Sequence, residues 1–465
     1  MASQLICVVL LDTILMNFRG NVMIILTLNC GSSSVKYQVY DWKEKCILGV
    51  GVVERITEKV SRLEHKLASQ EEYGAEKVCH NHRNAIAWIL ETLIDPDKGC
   101  LEGTDSIRAV GHRMVHGADL FTKSVIVDNN TLTKFEAISH LAPLHNPANI
   151  AGIRAAQKIL PSVPHCAIVD TAWHQTMPAT SYMYALPYNW YENHKIRRYG
   201  FHGTSYIYTS KRASVLLGKN PLKTNLIIAH IGNGSSICAV RDGRSYDTSM
   251  GMTPLEGLMM GTRSGDIDPA IIPFMMMRNN ISPRDMDSIL NKKSGVLGIT
   301  EKIIDRRDVH AGVEGGEWRC ILAQNLETYR IRKYIGAYYA ALGNVDAVVF
   351  TAGVGELNPA YRLKALKGLE KLGIKIDDRK NAISRTKNAE TCISSDDSPI
   401  KILVIPTDEE LVMTEDTQAL IDGTYDIHTS FKYSFQNHDY RNKLRNSALE
   451  ADIKNNPELE SILAQ

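Results

Sequence analysis

The sequence has almost no net charge, no closely spaced pair of cysteines and no long apolar run. With 53 basic and 52 acidic residues, the formal net charge of +1 gives no support for a nucleic-acid or membrane partner. The nine cysteines are scattered, without a C-x-x-C pair or a metal-like spacing. This pattern argues against a disulfide framework and favours free thiols in a reducing cytoplasm.

The apolar stretch at residues 5–16 is too short to span a bilayer and is interrupted by Asp12. It also lacks the basic leader and small-residue cleavage site of a signal peptide. Met23 directly precedes the first clear strand. We therefore interpret residues 1–22 as an extension that the fold and the activity do not need.

A chain of 465 residues exceeds the size at which one hydrophobic core stops growing, so two domains are expected. Predicted strands alternate with predicted helices, which indicates an α/β fold. We predict domain I at residues 23–172, completed by about 408–425, domain II at 173–407, and a polar, partly helical C-terminal extension at 426–465.

Hydrophobic periodicity and turn residues predict the individual elements. They predict a hairpin over 22–40, helices over 81–93, 149–159, 206–217 and 326–342, strands over 109–115, 165–169, 347–350 and 402–404, and a helix starting at 407–410. Thr204 or Ser205 is the expected cap of the helix over 206–217. A Met-rich apolar helix over 267–277 is predicted to lie in the core.

Three strands run into glycine-containing turns, the most informative pattern in the chain. The segments are NCGSSSVKY at 29–37, IGNGSS at 231–236 and TAGVGE at 351–356. Glycine permits positive φ and a close backbone approach, and backbone N–H groups, hydroxyls and the Lys36 ammonium suit a phosphate or a phosphate-bound metal. The alternative for one such turn is an ordinary serine-rich hairpin, but three are much less expected by chance.

Several charged residues follow predicted strands, where open α/β sheets bind ligands. Arg113 and Arg263 lie in glycine-rich loops and can grip a carboxylate or phosphate, although a surface salt bridge is the alternative for Arg113. His202 lies between glycines and can donate to a phosphoryl oxygen, although a lone histidine is more often structural. Asp170 ends a buried strand as a catalytic or metal-orienting carboxylate, or as a helix cap.

The last strand-to-helix turn carries three consecutive acids, Asp408, Glu409 and Glu410. One of these carboxylates, with Asn29, could hold Mg²⁺ directly or through water, because Mg²⁺ prefers few protein ligands. Helix capping is the alternative, and it needs only one of the three acids.

With these motifs in order, the chain resembles the acetate kinase family over about residues 23–422. The shared motifs are NCGSSSVKY, GHRMVHG, LAPLHNPANI, VDTAWHQTMP, RRYGFHGTS, HIGNGSS, MTPLEGLMMGTRSGDIDP, TAGVGE and PTDEEL. The resemblance implies membership of the superfamily of acetate and sugar kinases, heat-shock chaperones and actin. It implies two domains with duplicated ribonuclease-H-like cores and ATP in an interdomain cleft.

The resemblance also implies roles for individual residues. Asn29 and Glu409 correspond to the Mg²⁺ positions, with Mn²⁺ as an alternative metal, and Arg113, Val115, Leu144, Phe201 and Pro254 to the carboxylate and methyl sites. The catalytic acid is Asp170, and the transition-state stabilisers are His202 and Arg263. The nucleotide-side residues are Ser32, Ser34, Lys36, His230, Gly232, Asn233, Gly234, Asp305, Arg306, Arg307, Gly353, Val354, Gly355, Glu356 and Leu357.

The implied reaction is reversible, Mg²⁺-dependent transfer of a phosphoryl group between ATP and acetate, giving acetyl phosphate and ADP, in a cytoplasmic homodimer. A propionate kinase and an actin- or chaperone-like ATP-binding switch are the alternatives. The chain departs from the family at Tyr206, which is usually His, at Leu357, usually Asn, and at residues 300–304. We expect the last two to alter nucleotide affinity or base preference rather than acetate transfer.

Overall fold

The structure, a computed structural model, describes residues 23–143 and 145–464. The predictions for residues 1–22 and for Leu144 lie outside these described residues. The chain divides into two compact units. Unit 1 comprises the described residues up to Val115, then Ser124–Ile168 and Met413–Tyr425; unit 2 comprises His116–Lys123, Val169–Val412 and Asp426 onward. The predicted domain boundaries remain a prediction.

Unit 1 is built on one eight-stranded sheet in the order β5-β4-β3-β2-β1-β6-β8-β7. Its strands are β1 Ile24–Cys30, β2 Ser34–Asp41, β3 Cys46–Glu54, β4 Ser61–Leu67, β5 Glu72–Lys77, β6 Ile107–Met114, β7 Val125–Ile126 and β8 His165–Val169. Its helices are α1 His82–Leu93, α2 Asn129–Ala137 and α3 Asn146–Ile159. The predicted hairpin is confirmed, because β1 and β2 pair antiparallel around Gly31.

Unit 2 contains a six-stranded sheet in the order β11-β10-β9-β12-β14-β13. Its strands are β9 Leu226–Ile231, β10 Ser235–Arg241, β11 Arg244–Thr248, β12 Ala347–Thr351, β13 Thr391–Cys392 and β14 Lys401–Val404. Its helices are α4 Ala179–Tyr182, α5 Tyr188–His194, α6 Gly203–Leu216, α7 Ile271–Asn279, α8 Pro283–Lys292, α9 Gly295–Thr300, α10 Arg306–Glu314, α11 Trp318–Leu342, α12 Ala352–Leu357, α13 Pro359–Leu366 and α14 Asp378–Ile383. Helix α15, Glu409–Ile421, begins in unit 2 and continues into unit 1, and α16, Lys443–Asn455, lies in unit 2.

The two sheets repeat one strand plan. In each, an antiparallel hairpin (β1–β2 or β9–β10) is followed by a third strand on one side, and its first strand pairs parallel with a later strand on the other. The inner orders β3-β2-β1-β6-β8 and β11-β10-β9-β12-β14 are therefore equivalent. This is the duplicated ribonuclease-H-like α/β fold that the resemblance implied.

Each sheet packs its own apolar core. In unit 1 alternate β1 residues, including Leu26 and Leu28, join Ile86 and Ile89 of α1. In unit 2 Ile227 and Val348 join the inward face of α11. These elements are long, strongly periodic and bounded by polar turns, which is why the sequence pattern predicted them. Among the described residues, no helix combines the length and the apolar character that crossing a membrane requires.

Two local predictions were wrong. The cap of α6 is His202 rather than Thr204 or Ser205, since the helix already begins at Gly203. A Cβ at Gly203 would lie 1.9 Å from the Asp170 carbonyl oxygen, so only glycine allows the helix to start there. The Met-rich helix α7 has no buried residue and exposes Phe274 and Met277 to solvent, so it does not lie in the core.

Candidate active site

In unit 1, the first glycine turn and the end of β6 present polar groups on one face of the sheet. Asn29 and Lys36 are directly opposite each other in the β1–β2 register, so their side chains share a face. The β1–β6 register pairs Leu28 with His112, and the alternation of side chains then places Arg113 on the face of Asn29. An amide, an ammonium and a guanidinium therefore lie on one face, where they can meet anionic ligands.

The turn itself keeps its hydroxyls accessible. Ser32 and Lys36 are exposed and Ser34 is half-buried, while the Gly31 N–H donates to the Ser34 carbonyl at 2.8 Å. The Gly31 carbonyl lies 2.6 Å from Nε2 of His82, the first residue of α1. The backbone of the turn is thus held from behind, and the side chains predicted to bind phosphate point outward.

Asn149 fixes the two loops of unit 1 to each other. Its amide nitrogen donates to the Cys30 carbonyl at 2.7 Å, and its amide oxygen accepts from the Val115 N–H at 3.0 Å. Asn149 is buried, and Val115, which the prediction places in the acyl pocket, is buried beside it. Asn149 lies in the motif segment HNPANI but was not predicted as a functional residue; a polar amide within a shared motif was the available signal.

In unit 2, the Thr204 hydroxyl links two of the predicted carboxylates. It donates to Glu409 Oε2 at 3.1 Å and lies at a longer 3.5 Å from Asp170 Oδ1. Asp170 is fully buried at the end of β8, and Glu409 begins α15. Asp408, not Glu409, caps α15, since its Oδ1 accepts the Leu411 N–H at 3.1 Å. The capping alternative is thus met by Asp408 alone, and Glu409 remains available to a ligand.

Two carboxylates and a hydroxyl are oxygen donors of the kind that Mg²⁺ prefers. Among the residues that the structure describes, no group of three or more His, Cys, Asp or Glu side chains is arranged to hold a metal. A site of few protein ligands completed by water and phosphate suits Mg²⁺, because this ion dehydrates reluctantly. The donor set around Thr204 therefore fits the metal that the sequence implied. Asn29, the other predicted metal residue, belongs to unit 1.

His202 and the second glycine turn lie together in unit 2. His202 has a left-handed backbone, with φ at 61°, which a non-glycine residue adopts only when its surroundings enforce it. A Cβ built on Gly234 would lie 3.4 Å from His202 Nε2 and 3.6 Å from Arg263 Nη1. The backbone of the second turn, the His202 imidazole and the Arg263 guanidinium thus lie close together. Because Gly234 has no side chain, a small space remains between them.

The imidazole of His202 is held by a chain of hydroxyls. Its Nδ1 lies 2.9 Å from Ser236 Oγ, and Ser236 in turn is hydrogen-bonded to the Tyr206 hydroxyl. The ring stacks on His230 with centroids 4.0 Å apart, and His230 Nδ1 lies 2.9 Å from Ser205 Oγ. Burial raises the pKa of Tyr206, so its hydroxyl stays protonated. Tyr206, one of the departures from the family pattern, is therefore part of the support of His202.

Arg263 is half-buried and has no carboxylate partner among the described residues. Its Nη1 donates to the Pro254 carbonyl at 3.1 Å, and burial lowers the pKa of its guanidinium. A desolvated cation without an anion is costly unless a ligand supplies the charge. The position beside Gly234 and Pro254 suits an anionic group that arrives with the substrate.

Arg306 and Arg307, two of the residues predicted to contact the nucleotide, differ in whether their guanidinium groups are exposed to solvent. Arg306 forms a buried ion pair with Glu327 at 2.7 Å and donates to Asn233 Oδ1 at 3.1 Å. Arg307 is exposed and pairs with Asp305 at 2.6 Å. Arg306 therefore supports the second turn through Asn233, whereas Arg307 lies on the surface.

The third glycine segment forms the short helix α12. Residues 353–356 lie within it, and the buried Glu356 accepts the Thr407 N–H at 3.2 Å, with a pKa raised by burial. Leu357, at its end, is 44% exposed.

In the predicted methyl site, Phe201 is buried and its carbonyl lies 2.9 Å from His174 Nε2.

The fold defines the class of the protein: it has the actin-like ATPase fold, with glycine-containing turns at equivalent hairpins of its two sheets. The acetokinase family model matches residues 24–415, and the chain belongs to this family. It is 58% identical over 442 residues to an acetate kinase of Treponema pallidum, covering 95% of this chain and 99% of that protein.

Two solved structures are similar over their whole length. The acetate kinase of Porphyromonas gingivalis is 43% identical with a TM-score of 0.82, and this match covers 86% of this chain and 100% of that one. A propionate kinase of Francisella tularensis is 40% identical with a TM-score of 0.80 and the same coverages.

Proposed function

We propose that the protein catalyses reversible phosphoryl transfer between ATP and acetate, giving acetyl phosphate and ADP. The observation that carries this proposal is Arg263, a half-buried guanidinium without a carboxylate partner in the described chain, beside His202 and the second glycine turn. An actin- or chaperone-like ATP-binding switch would need the phosphate turns but not this arrangement. Membership of the acetokinase family supports the same reaction.

The chemistry follows from charge. Acetate is ionised at neutral pH and needs no strong base, so catalysis rests on positioning and on neutralising the charge of the transferring group. We assign Arg113 to the acetate carboxylate and the Nε2–H of His202 and the guanidinium of Arg263 to the phosphoryl oxygens. Asp170 orients the nucleophile or the metal shell through its contact with Thr204.

Mg²⁺ is the proposed metal, with Mn²⁺ as its alternative, and Glu409 and Asn29 are its proposed protein ligands. When bound, it would neutralise charge on the phosphate oxygens. We assign the first turn (Ser32, Ser34 and Lys36), the second turn and the α12 segment to the nucleotide. The proposed cytoplasmic location and homodimer rest on the family resemblance alone.

Acetate and propionate differ by one methylene, which a hydrophobic pocket discriminates by only about 1–3 kcal/mol. Val115 is proposed to limit the pocket beyond the methyl group. Val115→Ala should therefore shift relative kcat/KM toward propionate by roughly tenfold. Initial rates with both acids in wild type and variant measure this shift, and an unchanged ratio would remove Val115 from the pocket wall.

The reaction itself is tested by trapping acetyl phosphate as its hydroxamate with purified full-length protein, ATP, Mg²⁺ and acetate. We expect hydroxamate and ADP in equal amounts, both dependent on acetate. Asp170→Asn, which keeps the volume of the side chain, should remove most of the activity. ADP release without any dependence on acetate would instead support the ATP-binding switch.

A further inference from the structure

The chain continues well beyond the family match, which ends at residue 415. We call residues 426–464 the C-terminal tail. The tail belongs to unit 2 and buries Tyr433, Phe435, Leu459 and Ile462. It includes helix α16, and Leu463 forms a β-bridge with Thr391. The tail is therefore an integral part of the unit 2 core.

Two tail residues, Arg445 and Asn442, form hydrogen bonds to the turn at residues 406–409, which includes Glu409. Arg445 Nη2 donates to the Thr407 carbonyl at 2.8 Å, and its Nη1 lies 3.4 Å from the Pro406 carbonyl. Asn442 Nδ2 donates to Asp408 Oδ2 at 2.7 Å. Successive residues of the turn are thus held by two side chains from one end of α16.

These contacts use groups that helix α15 leaves unsatisfied. Asp408 caps α15 with Oδ1, at the Leu411 N–H, and presents Oδ2 to Asn442. The carbonyl groups of Pro406 and Thr407 precede the helix and cannot enter its hydrogen-bond ladder. Arg445 supplies donors to both. Burial raises the pKa of the Asp408 carboxyl, and the nearby Arg445 guanidinium partly offsets this rise.

The turn is held on its other side by the nucleotide segment. The Thr407 N–H donates to Glu356 in α12, within TAGVGE. Thr407 therefore links α12, through its N–H, to the tail, through its carbonyl. A shift of the tail would move the turn, Glu409 and the Glu356 contact together.

We propose that Arg445 and Asn442 are positioning residues that hold the 406–409 turn so that the Glu409 carboxylate is preset for a divalent cation. The proposal rests on the proposed function for the role of Glu409. Partners that orient a metal ligand from behind typically contribute about 10- to 100-fold to metal affinity. Neither residue is among those proposed to bind a substrate, so we expect them to act on metal use and not on acetate binding.

The first test measures the turn directly, without reference to activity. Hydrogen–deuterium exchange of peptides covering residues 405–412 is compared in full-length wild type, Arg445→Met and Asn442→Ala. We expect about tenfold faster exchange in both variants. Arg441→Ala is the matched control: Arg441 is exposed on the same tail and donates to the His438 and Tyr440 carbonyls of its own segment. Its exchange should equal that of the wild type.

The second test separates metal use from acetate binding. In both variants the Mg²⁺ concentration for half-maximal rate should rise roughly tenfold while the KM for acetate stays the same, and excess Mg²⁺ should restore the rate. Unchanged exchange at 405–412, or faster exchange with an unchanged Mg²⁺ dependence, would overturn the proposal.

Two outcomes keep the proposal and the proposed function distinguishable. If the wild type makes no acetyl phosphate, the proposed function fails, and exchange together with Mg²⁺ binding measured by calorimetry still decides the tail contacts. If Arg445→Met does not fold, Asn442→Ala alone decides, because it removes only two hydrogen bonds, the one to Asp408 Oδ2 and the cap at the Leu444 N–H, and little packing.

Discussion

Two arginines of unit 2, Arg306 and Arg263, are both largely withdrawn from solvent, but only Arg306 has a carboxylate partner among the described residues. Arg306 is neutralised by Glu327 within the protein, whereas Nη1 of Arg263 donates to the Pro254 carbonyl and lies 3.7 Å from the Met260 sulfur. The Arg306–Glu327 pair is neutralised within the protein, whereas the half-buried guanidinium of Arg263 is neutralised only when an anion binds. We therefore propose Arg263 as an anion-binding group, and Arg306 supports the second turn through Asn233.

Arg113→Ala should raise the KM for acetate and lower kcat, because the guanidinium is proposed to hold the nucleophile in line. The KM for the nucleotide should change little. Steady-state kinetics with each substrate varied in turn measure both. Arg108→Ala is the control on the same strand, since Arg108 is exposed and pairs with Asp422 at 2.9 Å. A change confined to the nucleotide KM would show that Arg113 does not act on the acyl side.

Tyr206→Phe tests the hydroxyl chain behind His202. The buried Tyr206 O–H is satisfied when it donates to Ser236, which leaves the Ser236 O–H to donate to Nδ1 and the imidazole proton on Nε2. Removing the hydroxyl should lower kcat about two- to tenfold, the value of one hydrogen bond, with little change in the acetate KM.

The independent readout for Tyr206→Phe is the ¹⁵N spectrum of His202, which reports its tautomer. The wild type should be protonated at Nε2, and the variant should be a mixture. Tyr208→Phe, two residues further along α6, is the control and should leave the spectrum as it is. A pure Nδ1–H tautomer in the wild type would refute the proposed hydrogen-bond direction.

At this scale a local sequence pattern selects the candidate residues, whose roles stay predictions, but it does not reveal their surroundings. Arg113, Asp170, His202 and Arg263 follow strands or lie in glycine-rich loops, and that pattern is local. The roles of Asn149, Thr204 and Ser236 depend on which groups the fold brings within 3.5 Å, and no local pattern carries this information.

At the scale of elements, strong hydrophobic periodicity was sufficient to locate helices and strands, whereas apolar composition alone was not sufficient to tell which of them are buried. Strand β8, helix α1 and the C-terminal end of α11 match the predictions because alternation, length and turn residues all agree there, whereas α11 begins at Trp318, earlier than the predicted 326. Helix α7 was misplaced because an apolar composition does not reveal which neighbours are present to cover it. The C-terminal extension was predicted to be partly helical, but the position of α16 within it was not, since its apolar residues are few and its contacts are made largely by polar side chains.

The exposure of α7 gives an element-scale prediction. Met277 is 79% exposed, whereas Met286 in the next helix is 6% exposed. Met277→Ala should change the free energy of unfolding by no more than about 0.5 kcal/mol, and Met286→Ala should lower it by about 2 kcal/mol or more. Urea denaturation of both variants measures the difference. A loss above about 1 kcal/mol for Met277→Ala would mean that α7 is covered in solution.

For the whole molecule, two buried histidines connect folding to pH. Burial lowers the pKa of His174 to about 4 and that of His428 to about 3. Since the unfolded imidazole titrates near 6.5, the unfolded chain binds more protons below that pH. The stability from these neutral histidines is complete above pH 6.5 and is lost as the pH falls toward their folded pKa values.

His174 alone should therefore remove about 2 kcal/mol of stability between pH 7 and pH 5. His174→Gln keeps a polar group near Ser245 and the Phe201 carbonyl but cannot titrate. The variant should be less stable at pH 7 and should show a smaller loss on acidification than the wild type. Calorimetric Tm values at both pH values check this, and parallel losses in the two proteins would contradict the folded pKa of His174.

The first and second glycine turns occupy equivalent positions in the two sheets. The loop between β1 and β2 is Gly31-Ser32-Ser33, and that between β9 and β10 is Gly232-Asn233-Gly234, each three residues long at the same place in the same strand plan. Equal length preserves the hairpin register, so the copies could diverge in chemistry without disturbing either sheet. The first turn carries hydroxyls and is followed by a lysine, whereas the glycines of the second turn leave room for an imidazole and a guanidinium. One backbone plan thus holds two different sets of polar groups, and a substitution in one turn leaves the geometry of the other hairpin unchanged.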